Sequence, residues 1–143
     1  MQSKGSAVWK GGFKDGRGTI STASGALKQA SYSVGSRFEG GSGTNPEELI
    51  AAAHASCFSM MLSKLLGDAK KTASDIRTKA TLTLSNASGG WKISKIHLET
   101  EVSGGGLDAE TLNRIAGQAK EQCPISVLLK PGLESLTLDV KLK

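Results

Sequence analysis

The sequence is poor in what a nucleic-acid binder needs. Aromatic residues are 4% of 143, too few for the stacking platforms of a single-strand binder. The net charge is +5, from 18 Lys+Arg against 13 Asp+Glu, but no five-residue basic run concentrates it, so no nucleic-acid partner is expected. A secretory leader is missing as well: Met1 to Lys14 carries Trp9, Lys10 and Gly11-Gly12 where a signal peptide needs an unbroken apolar stretch. The expected location is the cytoplasm. The longest apolar-leaning stretch, Leu49 to Leu66, is broken by His54, Ser56, Ser59, Ser63 and Lys64. A membrane span needs about 20 predominantly apolar residues, so this one reads as a core helix with no membrane partner. There are only two cysteines, which in such a compartment point to reduced, catalytic or redox-sensing thiols rather than a permanent crosslink. No Gly-x-x-x-x-Gly-Lys loop, Gly-x-Ser-x-Gly elbow or His-Glu-x-x-His helix occurs, and no internal repeat or linker divides the chain.

What is present suits one folded domain over residues 1–143, with 38% hydrophobic and 22% charged residues. Short β-favouring pieces at Ala7–Trp9, Gly18–Thr22 and Tyr32–Val34 predict three antiparallel strands. Gly40 to Gly43 reads as a loop, and Thr44-Asn45-Pro46-Glu47-Glu48 as a helix start: Asn45 caps, Pro46 fits the first position, and two carboxylates face the positive end of the dipole. That helix is expected to run to Leu66 and stop at Gly67. Apolar residues lie on nearly all its faces, so it must be enclosed, and a chain this small encloses it with a second copy: a homodimer is expected. Beyond it, Ala80–Ser85 and Trp91–Val102 predict a hairpin turning at Asn86–Gly90 and closed by Gly104-Gly105-Gly106. A slip of apolar phase between Ile93 and Ile96 marks a β-bulge. Leu112, Ile115, Ala116 and Ala119 recur at helical spacing behind an Asp108 cap, Pro124 opens a short helix through Leu129, and Leu136–Leu142 alternates as a strand. The order βββ-α-ββ-α-α-β is α+β, without the βαβ rhythm of a parallel sheet.

Several side chains could carry chemistry, and each has a plainer alternative. Cys57 lies inside the central helix, where a free cysteine can be a small hydrophobe. Cys123, before Pro124, sits at a helix start that lowers a thiol's pKa, or is incidental to a helix break. Arg37, placed at the end of the third predicted strand, is either solvated or the cation that a buried thiolate needs. Glu47 either accepts from such an arginine or simply matches the helix dipole, and Glu48 has only the second reading. His54 and Cys57, at i and i+3, share a helical face, and with Cys123 a zinc site can be drawn, although no close cysteine pair supports it. His54 reads better as a buried, hydrogen-bonded histidine, and His97 as an exposed strand residue.

Taken together, Ser36-Arg37-Phe38-Glu39-Gly40, the run Gly43-Thr44-Asn45-Pro46-Glu47-Glu48-Leu49-Ile50-Ala51-Ala52-Ala53-His54-Ala55-Ser56-Cys57-Phe58-Ser59-Met60, and Cys123-Pro124-Ile125-Ser126 resemble the OsmC/Ohr family of bacterial thiol peroxidases. The placing of the arginine is closer to the OsmC branch. The resemblance implies an intertwined homodimer in which antiparallel sheets wrap two long central helices, with active sites at the subunit interface and no cofactor. It makes Cys57 the peroxidatic thiol and Cys123 the resolving one, with Arg37 holding the thiolate and Glu47 orienting Arg37. The substrate it implies is an organic hydroperoxide in preference to hydrogen peroxide, reduced through a Cys57 sulfenic acid and a Cys57–Cys123 disulfide. An external dithiol, lipoyl-type or other, then resets the enzyme. Phe38, Phe58, Met60 and Met61 are the candidate pocket residues. On local chemistry Cys123 has the better claim to a low pKa, whereas the resemblance assigns attack to Cys57 and requires Arg37 to outweigh its burial. Two other classes stay open: a dimeric module binding a small ligand in an apolar pocket, and a thioesterase or other hydrolase using Glu47 or His54 as base.

Overall fold

The β-favouring pieces of the first third of the chain pair in sequence order in the computed structural model, which describes residues 1–87, 89–104 and 106–143. Residues 1–49 and 50–143 form two compact units. In the first, β1 (Gly5–Lys10), β2 (Arg17–Thr22) and β3 (Ala30–Tyr32) make an antiparallel sheet in the order β1-β2-β3. Gly18 of β2 pairs with both Trp9 and Tyr32, and a Cβ there would stand 2.2 Å from the Tyr32 ring, so only glycine fits.

The third strand ends earlier than expected. Ser33 and Ser36 cap one another, Ser36 N–H donating to Ser33 Oγ (3.1 Å) and Ser33 N–H to Ser36 Oγ (2.9 Å). That reciprocal bonding turns Val34–Phe38 into a short helix, α1, in place of strand. Arg37 therefore lies in a helical last turn and not at a strand end.

Helix α2 (Pro46–Asp68) begins as expected, with Asn45 Oδ1 accepting from Glu48 N–H at 2.8 Å. Gly67 does not stop it. The Lys64–Asp68 ion pair (2.6 Å) spans the last turn and favours its continuation. The cap comes at Lys70, which takes φ 56° while Lys71 N–H returns to Leu66 C=O and Lys70 N–H to Gly67 C=O. By length and composition α2 is also apolar enough to cross a membrane. Its stripe of Phe58, Leu62 and Leu66 instead joins the core of the second unit.

In the second unit β4 (Asp75–Ala87) and β5 (Gly90–Ser103) form the hairpin, and its register shifts at Thr83/Leu84, opposite Ser94, where the apolar phase predicts the bulge. Ser94 is buried and bonds Ser85 Oγ at 2.7 Å. Of the predicted turn and closing glycines, Ser88 and Gly105 lie outside the described residues. Helix α3 (Ala109–Gln122) is capped by Asp108, whose Oδ1 accepts from Thr111 N–H at 2.8 Å, and it buries Leu112, Ile115, Ala116 and Ala119. Helix α4 (Pro124–Leu129), a single 3-10 turn at Lys130–Gly132 and β6 (Ser135–Leu142) follow. β6 pairs with β5 in parallel, so this sheet, β4-β5-β6, is mixed where wholly antiparallel pairing was expected. The crossover through α3 and α4 supplies the length that a parallel connection needs. Ile96, Leu98 and Val102 of β5 meet the α2 stripe, the buried face of α3 and Cys123 in one apolar cluster.

Candidate active site

Two constellations emerge, one in each unit. In the first, the chain leaves α1, turns through the glycine-rich loop and returns to β3 at Thr44, whose N–H donates to Ser31 C=O (2.8 Å) and whose C=O accepts from Ser36 Oγ (2.8 Å). This polar closure sets the first turn of α2 beside the last turn of α1. Arg37 and Glu47 meet across it: Arg37 Nε donates to Glu47 Oε1 at 3.0 Å and Oε2 at 3.1 Å, and Nη2 to Oε1 at 2.6 Å. The fork geometry fixes the guanidinium plane as well as its position. The Arg37 guanidinium also lies 5.0 Å from the Phe38 ring centroid. It lines a cavity of about 320 Å³ walled by Trp9, Phe13, Tyr32, Val34 and Phe38. Glu48 is engaged elsewhere, accepting from Thr44 Oγ1 at 2.5 Å.

The second constellation is the thiol pair. Both cysteines are free; Cys57 is half-buried on α2, and Cys123 is fully buried at the α3–α4 junction. Cys123 N–H closes α3 onto Ala119 C=O, and its own C=O accepts from Val127 N–H, each at 2.9 Å. Pro124 cannot continue α3, so the chain bends at Cys123 (φ −59°, ψ 123°) and turns this residue back toward α2. The Cys57 thiol lies beside the Cys123 side chain and the Ile125 amide, and both act on its proton. Burial pushes the Cys57 pKa up, the Cys123 thiol adds to that, and the Ile125 N–H opposes both. Cys57 borders an apolar groove of about 520 Å³, lined also by Ala53, Met60, Met61, Pro124 and Ile125, with Lys64 on its wall.

His54, fully buried, sits one turn before Cys57, and its Nε2 lies 2.7 Å from Ser126 Oγ. Burial lowers its pKa, which favours the neutral imidazole. Among the described residues no group of three or more His, Cys, Asp or Glu side chains is arranged to hold a metal.

A fold in which one long helix presents a thiol to a second, buried thiol now has relatives to be compared with. The family model for the OsmC-like protein matches residues 39–135. Peroxiredoxin OsmC of Escherichia coli (strain K12) is 49% identical over 143 residues, covering 100% of this chain and 98% of the relative. The chain belongs to the OsmC family. Organic hydroperoxide resistance protein OhrB of Bacillus subtilis (strain 168) is 30% identical over 127 residues, 88% of each chain. Among solved structures, an organic hydroperoxide resistance protein OsmC from Legionella pneumophila superposes with a TM-score of 0.78 at 24% identity over 96% of each chain, a likeness of fold.

Within this OsmC fold the residues singled out from sequence fall into three groups. Cys57 and Cys123 are in contact, and Arg37 and Glu47 are bonded. Met60 and Met61 line the groove beside Cys57 and Phe38 lines the cavity beside Arg37, but Phe58 is a fully buried core residue and lines neither. His97 is half-exposed, its Nδ1 2.8 Å from Thr137 Oγ1. Sequence reasoning missed Ser126 and the Ile125 amide as parts of the thiol neighbourhood. No local signal exists for a bond spanning 72 positions. The Ser33-x-x-Ser36 spacing that makes α1, by contrast, was visible in the sequence.

Proposed function

We propose that this chain is a thiol peroxidase that reduces organic hydroperoxides. The observation that carries the reading is the asymmetry of the thiol pair: Cys57 is half-buried and borders an apolar groove, while Cys123, which it touches, is closed off from solvent. A hydroperoxide with an apolar tail can reach only the first. The names of the relatives, a peroxiredoxin and organic hydroperoxide resistance proteins, support the same class of reaction.

The Cys57 thiolate attacks one peroxide oxygen and the O–O bond breaks. The alkoxide takes a proton and leaves as the alcohol, and Cys57 is oxidised to sulfenic acid. Cys123 then attacks that sulfur, a disulfide forms and water leaves. A dithiol, lipoyl-type or other, reduces the disulfide by exchange and is itself oxidised to a disulfide. Burial works against the thiolate, so a cation must favour it. The family resemblance assigns that charge to Arg37, whose direction Glu47 fixes through two of the five guanidinium N–H groups.

The active molecule is a homodimer in the cytoplasm, each copy acting as one OsmC-like domain. What supports the dimer is the face of α2 that the single chain leaves uncovered. Met60 is 74% exposed, and Ala52, Ala55 and Ser59 border an open groove of about 650 Å³ against β4 and β5. On α4, Val127 and Leu128 are exposed too.

The test is to treat reduced protein with one equivalent of an organic hydroperoxide or of hydrogen peroxide and map the thiols by mass spectrometry, with Cys57→Ser and Cys123→Ser alongside. A Cys57–Cys123 disulfide is expected, faster with the organic peroxide, and a trapped Cys57 sulfenic acid in Cys123→Ser. Sulfenic acid at Cys123 reverses the roles. Two unreacted thiols after prolonged exposure refute the peroxidase and leave a module that binds a small apolar ligand.

A further inference from the structure

His54 and Ser126 form a polar contact where apolar side chains would serve packing better. Both are buried, at 0% and 1% exposure, and His54 Nδ1 has no hydrogen-bond partner among the described residues. A buried nitrogen left unpaired costs stability that an aliphatic side chain of similar size would not. A hydrogen bond, however, fixes distance and direction, which aliphatic contact does not. The location of this one is specific. His54 lies one turn before Cys57 on the same face of α2. Ser126 follows Ile125, whose amide reaches the Cys57 sulfur, and stands three residues after Cys123. The 2.7 Å bond thus ties together the two helices that carry the thiols, immediately beside them.

We propose that His54 and Ser126 are positioning residues for the resolving step: their hydrogen bond holds the first turn of α4 so that Cys123 stays in register with Cys57 and captures its sulfenic acid as a disulfide before a second peroxide reaches it. The roles of the two thiols rest on the reading above; the positioning itself is a property of the thiol pair and can be tested without peroxide. In the resolving step Cys57–SOH and Cys123–SH give Cys57–S–S–Cys123 and water. If capture is slow, a second hydroperoxide oxidises Cys57–SOH to the sulfinic acid and is itself reduced to the alcohol.

The peroxide-free probe is 5,5′-dithiobis(2-nitrobenzoate). Cys57 displaces one nitrothiobenzoate to form a mixed disulfide; Cys123 then displaces the second and closes the protein disulfide. The ratio of second to first release rate reports the register of the thiols. Removing the hydrogen bond by Ser126→Ala or His54→Leu is expected to lower that ratio about tenfold, a loss in keeping with one buried hydrogen bond acting on effective concentration. His54→Gln, whose amide reaches the place of Nε2, is expected to restore it to within about threefold. With excess tert-butyl hydroperoxide, Ser126→Ala is expected to accumulate Cys57 sulfinic acid in place of disulfide. An unchanged ratio in Ser126→Ala, a small change on a helix that remains folded by circular dichroism, overturns the proposal. So does equal loss in His54→Gln and His54→Leu, which assigns the effect to packing. Should wild-type protein ignore hydroperoxides yet show the expected ratios, the peroxidase reading falls while the positioning stands.

Discussion

Replacing Arg37 by alanine should unmask a thiol that its own surroundings hold protonated. Burial, and then the neighbouring Cys123 thiol, raise the Cys57 pKa, and only the Ile125 amide works the other way. An ordinary thiol titrates near 8.5, so at neutral pH only about 3% of it is thiolate, and Cys57 without a cation has less. A unit positive charge brought to about 4 Å from a thiolate, at an effective dielectric near 20, contributes about 4 kcal/mol, which sets the scale of what a counter-charge can do. Glu47, bonded to the same guanidinium at 2.6 Å, returns part of that. A counter-charge from Arg37 would therefore work against the burial and the Cys123 thiol that raise the Cys57 pKa. The assay is the pH dependence of Cys57 alkylation by iodoacetamide, a neutral reagent, with the Cys57 and Cys123 adducts resolved by mass spectrometry. Cys57 in Arg37→Ala should titrate above the wild type, with peroxide oxidation at neutral pH slowed about 100-fold and climbing with pH as the thiolate forms. Arg37→Lys, which keeps the charge and loses the fork, should fall between. Coincident titrations of wild type and Arg37→Ala would refute Arg37 as the counter-charge.

Two further outcomes follow from packing. Leu62→Ala empties a fully buried position on the α2 stripe and should cost about 3 kcal/mol in chemical denaturation. A loss below about 1 kcal/mol would mean the stripe is not buried in solution. Sedimentation at micromolar concentration should give a species of twice 14.8 kDa, and a 14.8 kDa species would overturn the dimer.

Much of this fold was legible because its signals are local. The Asn45 cap, the buried face of α3, the break at Pro124 and the slip of phase at Ser94 are each written within a few neighbouring residues, and each is found where the pattern puts it. Part of what escaped depends on partners distant in sequence. β6 runs parallel to β5 because α3 and α4 carry the chain back across the sheet, whereas the Ser33–Ser36 box that ends the third strand and starts α1 is local and was overlooked. Gly67 stays helical because the ion pair and the Lys70 cap lie on either side of it. For the site, the sequence puts both thiols in view but ranks them by helix position, which favours Cys123. Exposure orders them the other way, Cys57 half-buried and Cys123 buried, and exposure is a property of the assembled core. His54 is legible as a buried histidine; its partner is not, since nothing near Ser126 in sequence points to α2.

The parallel pairing of β5 with β6 also has a kinetic side. The β4–β5 hairpin is a local structure and can form early in refolding, whereas β6 finds its register only after the whole α3–α4 connection has been laid down. Cys123 sits within that connection. Before that connection packs, Cys123 lacks the core that buries it and Cys57 lacks its neighbour, so the partly folded chain is the form most open to random oxidation. A protein that meets oxidants as its substrates is then most vulnerable to them just before it is able to use them.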